Sequence, residues 1–369
     1  MENIVVGAGL SGAVIANSIA EKLNEKVLVI DKRDFVGGNI NDYVDEQTHI
    51  HVHRFGPHIF HTNSDRVWEY LSKFTDWHDF SFEPKVVIKG KKVTLPFNLN
   101  TIKECFEPEL AQKYTKKLVD TYGMETKIPI LELKNTDDED LKFIADFVYK
   151  YVFEGYTVKQ WGLKPEEIDK SITARVPVFI SYDNRYFQDK YQAIPKEGYS
   201  SMVKNILNHK NIEVRLNTEF KKAELDSDTR LFYTGPIDEY FDYKYGQLPY
   251  RSVTFGIETK DVEFYQPAAM VNYPCDNDFT RITEHKHFLG EKSEKTVISK
   301  EYSHQFELGK NERFYPISNN ESAALYQKYS DEAKKLKNVY FYGRLGAYKY
   351  YNMDQAVLAA LELFDSINT

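Results

Sequence analysis

A glycine fingerprint directly after an apolar run constrains the fold most. The run Asn3-Ile4-Val5-Val6 leads into Gly7-Ala8-Gly9-Leu10-Ser11-Gly12, the pattern G-x-G-x-x-G. An alanine-rich helical pattern follows from Ser11 to Leu23, and a second apolar run, Lys26 to Ile30, ends at Asp31. Strands that are apolar throughout are typical of a parallel sheet covered on both faces. The start of the chain therefore predicts a β-α-β unit of a Rossmann-like sheet.

Each residue type in the fingerprint suits a dinucleotide. Gly7 permits a tight turn, Gly9 lets the backbone approach a pyrophosphate, and Gly12 lets the helix pack closely on the strand. The helix that begins near Ser11 offers free N–H groups to phosphates. Asp31, at the expected distance after Gly12, is positioned to accept hydrogen bonds from ribose hydroxyls. The alternative is a glycine-rich turn in an unrelated α/β protein, and the fingerprint does not separate NAD from FAD.

Two further features favour FAD. The segment Gly37-Gly38-Asn39 would let the chain pass close to a large cofactor. The last part of the sequence repeats the opening pattern, with a predicted strand at 339–342, a turn, and a predicted helix from Met353 to Ile367. The N-terminus of this second helix could bind the end of a flavin cofactor that the first helix does not reach. A reductase that uses NAD(P) would be expected to carry a second dinucleotide fold, and the sequence gives no sign of one.

Composition excludes several classes of protein. The net charge of −8 argues against nucleic-acid binding, which requires a basic surface. The two cysteines have no metal-ligand spacing, and His58 and His61 lack a third ligand, so no metal site is expected. No apolar run reaches the length that spans a bilayer, and the first strand leaves no room for a signal peptide. We therefore expect a cytoplasmic protein without membrane segments.

The remaining pattern predicts an α/β fold in which a Rossmann-like FAD-binding domain carries an inserted helical domain and an antiparallel β-sheet domain. Helical periodicity marks 63–75, 108–122 and 138–156, and residues 250–315 are rich in strand formers. The predicted boundaries are 1–75, 190–240 and 335–369 for the FAD-binding core, 98–170 for the helical domain with a mobile loop, and 76–97, 171–189 and 241–334 for the substrate-side sheet.

Aromatic and cationic residues mark a candidate substrate site. Tyr156 and Trp161 lie between Gly155 and Gly162, which suggests a helix end and a turn instead of ordinary core. Two arginines have apolar or strand-forming neighbours. Each of them could form a structural ion pair with a carboxylate, or the two together could bind a diphosphate, and the sequence does not favour either interpretation. The two arginines are Arg175 and Arg281; the hydroxyls of Tyr186, Tyr315 and Tyr350 are candidate further donors.

Taken together, these motifs resemble the prokaryotic UDP-galactopyranose mutases from the first strand to the last helix. The similarity is carried by several motifs in order: Gly7–Gly12, Asp31-Lys32-Arg33, Gly37-Gly38-Asn39, Gly56–Asn63, Leu95–Asn98, Gly155-Tyr156-Thr157, Lys159–Gly162, Tyr233–Asp238, Thr280-Arg281-Ile282, Glu284-His285-Lys286, Gly343-Arg344-Leu345 and Tyr348–Tyr351. A series of this kind is far more specific than the glycine fingerprint alone.

The resemblance implies a tightly bound FAD and the isomerisation of UDP-galactopyranose to UDP-galactofuranose without net redox change. It implies a reduced flavin whose N5 attacks the anomeric carbon and displaces UDP, which is covalent catalysis with the cofactor as nucleophile. It further implies an external reductant such as NAD(P)H or a flavin reductase system, a homodimer, and a role in cell-surface polysaccharide biosynthesis.

The resemblance also assigns roles to residues. The catalytic group is Arg175, Arg281 and His58. The cofactor-binding group is Gly7, Gly9, Ser11, Gly12, Asp31, Lys32, Gly38, Asn39, Phe60, His61, Arg344, Met353, Asp354 and Gln355. The substrate-binding group is Pro84, Tyr156, Thr157, Trp161, Arg175, Tyr186, Asn272, Arg281, Tyr315 and Tyr350. A mobile loop around 163–171 would carry Arg175 inward.

Two positions depart from the family pattern. Asn352 stands where Asp is common, and Phe55 stands where Tyr is common. The amide of Asn352 keeps the hydrogen bonds but lacks a negative charge, and Phe55 lacks a hydroxyl. Either change could reshape the sugar pocket, so UDP-N-acetylgalactosamine is a further candidate substrate. The alternatives are a flavin-dependent oxidoreductase of the amine-oxidase-like group and a nucleotide-binding protein without catalysis.

Overall fold

The computed structural model describes residues 3–162, 177–222, 228–275 and 277–367. The strands are β1 (Asn3–Val6), β2 (Val27–Ile30), β3 (Asp42–Val44), β4 (His51–His53), β5 (Phe60–Thr62), β6 (Trp77–Asp79), β7 (Lys85–Ile88), β8 (Lys91–Thr94), β9 (Thr126–Ile128), β10 (Val178–Ile180), β11 (Tyr191–Pro195), β12 (Ile212–Arg215), β13 (Arg230–Tyr233), β14 (Tyr250–Lys260), β15 (Met270–Asn272), β16 (Arg281–Glu284), β17 (Thr296–Gln305), β18 (Tyr315–Pro316) and β19 (Val339–Phe341).

The helices are α1 (Leu10–Ser18), α2 (Asp65–Leu71), α3 (Leu99–Cys105), α4 (Pro108–Tyr122), α5 (Ile130–Leu133), α6 (Glu139–Val148), α7 (Gly155–Trp161), α8 (Gly198–Leu207), α9 (Ile237–Tyr240), α10 (Asn320–Ala333), α11 (Gly343–Gly346) and α12 (Met353–Ile367). Two π-helical turns, Ile19–Leu23 and Tyr149–Glu154, continue α1 and α6. The predicted helix at 63–75 is shorter, because the Ser64 hydroxyl accepts a hydrogen bond from the Val67 amide and begins α2 there.

The chain divides into two compact units. The first comprises Met1–Phe80, Asp189–Tyr250 and Leu308–Thr369, and the second comprises Ser81–Gln188 and Arg251–Glu307. This division differs from the three predicted regions. Residues 308–334 belong to the first unit, and the predicted helical and β-sheet domains share the second.

The first unit contains the predicted parallel sheet, in the order β12-β2-β1-β13-β19. The central strand β1 pairs with β2 and β13, so that Val6 lies opposite Ile30 and Tyr233. Val5 and Val29 are fully buried, as expected for strands between two helical layers. Helix α1 packs against α8 and α12. The predicted β-α-β unit and the Rossmann-like fold are therefore confirmed.

The second unit combines an antiparallel sheet with helices over one hydrophobic core. Its strands are ordered β14-β17-β16-β15-β7-β8, and only β15 and β7 run parallel. Val86 and Val93 of the sheet belong to the same buried cluster as Leu99, Leu141 and Val148 of the helices. This shared core is the physical reason why helices and sheet form one unit.

Candidate functional sites

The turn after β1 has the geometry that the fingerprint predicts. Gly7 has a positive φ of 105°, and its amide donates to the Ile30 carbonyl over 2.8 Å. A methyl group at Gly12 would lie 1.9 Å from the Gly7 carbonyl oxygen, so only glycine lets α1 start this close to β1. These two glycines are required by the fold itself.

Gly9 is different, and it provides a test of cofactor fit. Its φ of −78° is open to any residue, and a Cβ there would meet nothing nearer than the Gly38 Cα, at 3.7 Å. Gly38 and its neighbour Gly37 have positive φ, and the Gly37 amide donates to the Ala8 carbonyl over 2.8 Å. The chain alone therefore does not require glycine at position 9, whereas a pyrophosphate that passes close to the backbone does. The residues present fit a dinucleotide.

Asp31 is held at the end of β2 by the fingerprint loop. One carboxylate oxygen accepts from the Ala8 amide at 2.8 Å and the other from the Arg33 amide at 2.9 Å. A carboxylate oxygen has two lone pairs, so each retains acceptor capacity for a ribose hydroxyl. The Arg33 guanidinium donates to Asn39 Oδ1 over 3.2 Å and pairs with Glu312, two contacts that the sequence did not indicate. Lys32 is exposed.

The last β-α segment lies beside the fingerprint loop. Gly343, at a φ of 73°, would place a Cβ 3.5 Å from the Cβ of Ser11. Arg344 donates to the Tyr351 carbonyl over 2.9 Å, and its guanidinium lies over the rings of Tyr315 and Tyr350. The structure thus brings Ser11 close to Gly343. It also places two predicted site residues, Tyr315 and Tyr350, beside the guanidinium of a third, Arg344.

The start of α12 is fixed by its own side chains. Gln355 Oε1 accepts from the Asn352 amide at 3.0 Å, so this predicted cofactor contact has a capping role. Asp354 Oδ2 accepts from the Thr62 hydroxyl at 3.2 Å, whereas its buried Oδ1 meets no hydrogen-bond partner among the described residues. Met353 begins the helix beside them. The cofactor role of this helix start stays a prediction.

The segment from Gly56 to His61 contains one residue whose predicted role needs correction. His58 Nδ1 lies 2.8 Å from the Gly56 carbonyl oxygen, which can only accept, so Nδ1 carries the proton. His61 Nδ1 lies 3.0 Å from Asp189 Oδ2. Phe60 is 0% exposed in a chain that holds no ligand, and its ring stacks with Trp68 and Trp77. Since none of its surface is open to a cofactor, Phe60 belongs to the core.

The second unit contains a cleft lined by apolar, aromatic and polar side chains. It is lined by six residues assigned to the substrate, which are Tyr156, Thr157, Trp161, Tyr186, Asn272 and Arg281. It is also lined by Leu95, Val152, Phe153 and Met270, which the sequence analysis missed because apolar residues on helices and strands read as core. Pro84 is buried and is not among the lining residues. Arg175 and the loop at 163–171 lie outside the described residues.

Arg281 is both paired and directed at the cleft. Its Nε and Nη2 lie 2.7 and 2.6 Å from Glu301 Oε2, and Glu301 stands directly opposite it on β17. Nη1 lies 3.6 Å from the Met270 sulfur. The carboxylate pairing considered from the sequence is therefore present. It leaves the guanidinium in the cleft wall and fixes its orientation.

Asn272 lies opposite Arg281 on β15 and supplies a second polar group. Its buried Oδ1 has no hydrogen-bond partner among the described residues, although most buried amide oxygens are paired. An orphaned acceptor in a cleft wall is the arrangement expected where a ligand supplies the missing donor.

Helix α7 is positioned by contacts at both ends. A methyl group at Gly155 would lie 2.2 Å from the Pro274 carbonyl oxygen, so glycine allows the helix to approach β15. At the other end, buried Arg251 donates to the Lys159 and Gln160 carbonyls over 3.0 and 2.8 Å and caps the helix. Burial lowers the pKa of Arg251. These contacts place the segment that presents Tyr156, Thr157 and Trp161 to the cleft.

Replacing Gly155 by alanine is expected to alter the cleft and leave the first unit intact. Either α7 or the Pro274 backbone must move, at a cost of about 1–3 kcal/mol. We expect a lower melting temperature and weaker UDP-sugar binding with unchanged flavin content, measured by thermal unfolding, titration and absorbance. Gly256→Ala is the matched control, because its nearest neighbour would be Tyr302 Cε2 at 3.6 Å. Equal behaviour of the two variants would contradict the positioning role.

The motif Glu284-His285-Lys286 supports the second unit from within. All three residues are almost fully buried; Glu284 accepts from the Tyr265 and Gln266 amides at 2.9 Å each. Burial lowers the pKa of His285 to about 3, so its ring, 3.1 Å from the Ser299 hydroxyl, stays neutral.

Among the described residues, no group of three or more His, Cys, Asp or Glu side chains could hold a metal ion. Within the same ranges, no helix has the length and apolarity that a membrane span needs.

A Rossmann-like first unit with a dinucleotide cradle, and a second unit with a polar, aromatic cleft, are the features of a dinucleotide-dependent enzyme. Residues 151–350 match the family model of UDP-galactopyranose mutase, and residues 5–74 match that of an NAD(P)-binding Rossmann-like domain. A Klebsiella pneumoniae protein named "Probable UDP-galactopyranose mutase" is 40% identical over 365 residues, which cover 98% of this chain and 93% of the relative. The chain belongs to the UDP-galactopyranose mutase family. It is an isomerase, and its cofactor is FAD.

Two further comparisons bear on fold and specificity. The dTDP-fucopyranose mutase of Escherichia coli is 36% identical over 368 residues, which cover 97% of this chain and 96% of that protein. A crystal structure of reduced UDP-galactopyranose mutase covers 100% of this chain and 93% of its own, with a TM-score of 0.73 and 17% identity, a likeness of fold. Because the two relatives are named for different nucleotides and sugars, membership of the family does not by itself assign the sugar.

Proposed function

We propose that this chain converts UDP-galactopyranose to UDP-galactofuranose by ring contraction, with no net redox change. When bound in its reduced form, FAD supplies an electron-rich N5, the proposed nucleophile toward the anomeric carbon. The protein's task is then to orient the sugar and to stabilise the departing diphosphate. An external reductant, a homodimeric state and a cytoplasmic location stay predictions.

The observation that carries the proposal is the guanidinium of Arg281 in the wall of a cleft that also holds the Asn272 amide oxygen, an acceptor without a partner in the described part of the chain. A planar guanidinium matches the oxygens of a diphosphate, and Glu301 fixes the orientation of this one. Charge that develops on leaving UDP would be stabilised by donors that are already in place, which is the most effective form of electrostatic catalysis. Arg175 is proposed as the second cation.

The aromatic lining supports a nucleotide sugar as the ligand. Tyr156 and Trp161 provide ring faces, and Tyr186 provides a ring with a hydroxyl, so stacking and hydrogen bonding are available in one cleft. Thr157 adds a further hydroxyl. Tyr315 and Tyr350, which surround Arg344 in the first unit, are proposed to donate to the diphosphate, and His58 is proposed to lie near the flavin ring.

The decisive experiment incubates the holoenzyme with UDP-galactose and dithionite and separates the products by chromatography. A new isomer, with no oxygen consumed in proportion to product, is the expected result. Oxygen uptake that matches product formation would instead indicate the oxidoreductase of the amine-oxidase-like group. If the folded, FAD-loaded protein isomerises no nucleotide hexose at all, the proposal is wrong.

The same assay addresses sugar specificity. UDP-galactose, UDP-N-acetylgalactosamine and dTDP-fucose differ among themselves at the base, the ribose and the hexose. The first and the third are chosen because the two relatives described above are named for UDP-galactopyranose and dTDP-fucopyranose. Phe55 packs against Phe35 and Phe314, with ring centroids 5.9 and 6.0 Å apart, so the position that commonly carries a tyrosine hydroxyl is apolar here. We propose UDP-galactose as the preferred substrate and UDP-N-acetylgalactosamine as a second one, to be ranked by kcat/KM.

A further inference from the structure

Four aromatic rings form a continuous stack in the first unit, and none of them is assigned to the substrate. The Phe60 ring lies 5.1 Å from Trp77, Trp77 lies 4.7 Å from Trp68, and Trp68 lies 4.5 Å from Tyr191, all between ring centroids. The Trp68 and Tyr191 planes differ by only 5°. The stack begins at fully buried Phe60, at the start of β5, and ends at partly exposed Tyr191.

The order of ring types along this stack has a chemical direction. Indoles and phenols lose one electron to strong oxidants, whereas a phenylalanine ring does not, so the redox-active part runs from Trp77 through Trp68 to Tyr191. A phenol that loses an electron must also lose its proton. Tyr191 donates its hydroxyl hydrogen to Asp65 Oδ1 over 2.8 Å, so a proton acceptor is already in place.

Asp65 and Lys190 define the outer end of the stack. Asp65 accepts from both Lys190 and Tyr191, and these hydrogen bonds hold the pKa of its carboxyl below the usual range, so it is an anion at neutral pH. The Lys190 ammonium lies 4.7 Å from the centre of the Tyr191 ring, and its positive charge opposes oxidation of that ring. The carboxylate therefore favours a Tyr191 radical and the lysine disfavours it.

We propose that Trp77 and Trp68, which are themselves partly exposed, pass one-electron oxidation to Tyr191. A tryptophan radical cation formed in the stack takes one electron from Tyr191, whose phenolic proton passes to the Asp65 carboxylate and then to water. The neutral tyrosyl radical is reduced at the surface by a hydrogen atom from a thiol. Electrons and protons balance, and the tryptophans are restored.

The oxidant that this route removes is an oxygen-derived radical. The inference rests here on the proposed function, in which the flavin is reduced, because reduced flavins transfer single electrons to oxygen and so generate such species. The route does not supply electrons to the flavin, since indole and phenol rings are not reduced at biological potentials. The inference is independent of which nucleotide sugar the enzyme isomerises.

Pulse radiolysis of the holoenzyme with azide radicals tests the route, because this oxidant attacks tryptophan in preference to tyrosine. The sequence has three tryptophans, of which Trp68 and Trp77 belong to the stack and Trp161 does not. We expect the indolyl radical absorbance to decay while the phenoxyl absorbance rises, in a first-order phase whose rate does not depend on protein concentration. Absence of that phase in the wild-type protein would overturn the proposal.

Variants locate the end of the route. Tyr191→Phe is expected to abolish the intramolecular phase and leave a long-lived indolyl radical, and Asp65→Asn is expected to slow it. Lys190→Gln, which removes the opposing charge, is expected to accelerate it. Tyr182→Phe, an exposed tyrosine of the second unit, is the matched control and should leave the phase unchanged. A phase that survives Tyr191→Phe at the wild-type rate, in a variant with full flavin content, contradicts the assignment.

Discussion

Arg281→Ala is expected to reduce turnover severely while the purified protein stays yellow. Under the proposed mechanism, the substitution removes a charge-assisted contact to the departing diphosphate, worth about 2–4 kcal/mol in the transition state, or roughly 30- to 900-fold in kcat. FAD should remain bound, because Arg281 lies in the second unit and the dinucleotide cradle lies in the first. Steady-state kinetics with UDP-galactose and the flavin absorbance of the pure protein provide the two measurements.

The partner of Arg281 requires a control. Glu301 has a side chain only 3% exposed, and a buried carboxylate that loses its partner destabilises a protein by about 3–5 kcal/mol. The double variant Arg281→Met with Glu301→Gln removes both charges, so it should recover stability without recovering activity. Arg281→Lys keeps the charge but loses the planar fork, and we expect an intermediate kcat. Loss of flavin from Arg281→Ala, or an unchanged kcat, would refute the assigned role.

Alanine substitutions at Gly9 and Gly12 are expected to have different effects: the first should weaken FAD binding, and the second should destabilise the fold. At Gly12 the new methyl group would lie 1.9 Å from the Gly7 carbonyl oxygen, so the protein should be unstable with or without FAD. At Gly9 the ligand-free chain has room, so the protein should fold normally. The methyl group would meet the pyrophosphate instead, and a steric cost of about 1–3 kcal/mol raises the FAD dissociation constant roughly 5- to 150-fold.

The measurements are the melting temperature of each apoprotein and the FAD affinity of each variant that folds. Gly90→Ala is a useful reference, because a Cβ there meets nothing within 4 Å, although its positive φ of 80° adds local strain. Equal FAD affinity in Gly9→Ala and in the wild-type protein would show that the cofactor does not approach this glycine. Instability of the Gly9→Ala apoprotein would show that the available space has been misjudged.

The dinucleotide half of the molecule was predictable because its signals are local. A strand, three glycines and an acid within the first part of the chain specify the turn, and Gly7 and Gly12 have the geometry that they indicate. Gly9 is not required by the fold, and its contribution to the cofactor site stays a prediction. Phe60, which the resemblance assigned to the cofactor, lies in the core, because membership of a motif does not show which side of a strand faces the core.

In the second unit, the residues that line the cleft were predictable from the sequence, but the residues that hold them in place were not. Tyr156, Trp161 and Arg281 stood out by type and neighbourhood, and the structure places them around one cleft. Glu301 could not be paired with Arg281 from sequence, because strand register depends on tertiary packing. Nothing in the sequence around Arg251 indicates that its side chain donates hydrogen bonds to carbonyls at the end of α7.

The central position of β1 between β2 and β13 has a consequence for biosynthesis. Val27–Ile30 leaves the ribosome soon after Asn3–Val6, but Arg230–Tyr233 follows only after most of the intervening chain, and Val339–Phe341 later still. Until then one edge of the nascent strand has no partner, and an apolar edge of this kind invites pairing with other chains. Fragments that end before Arg230–Tyr233 would therefore expose an unpaired apolar strand edge and be prone to aggregate.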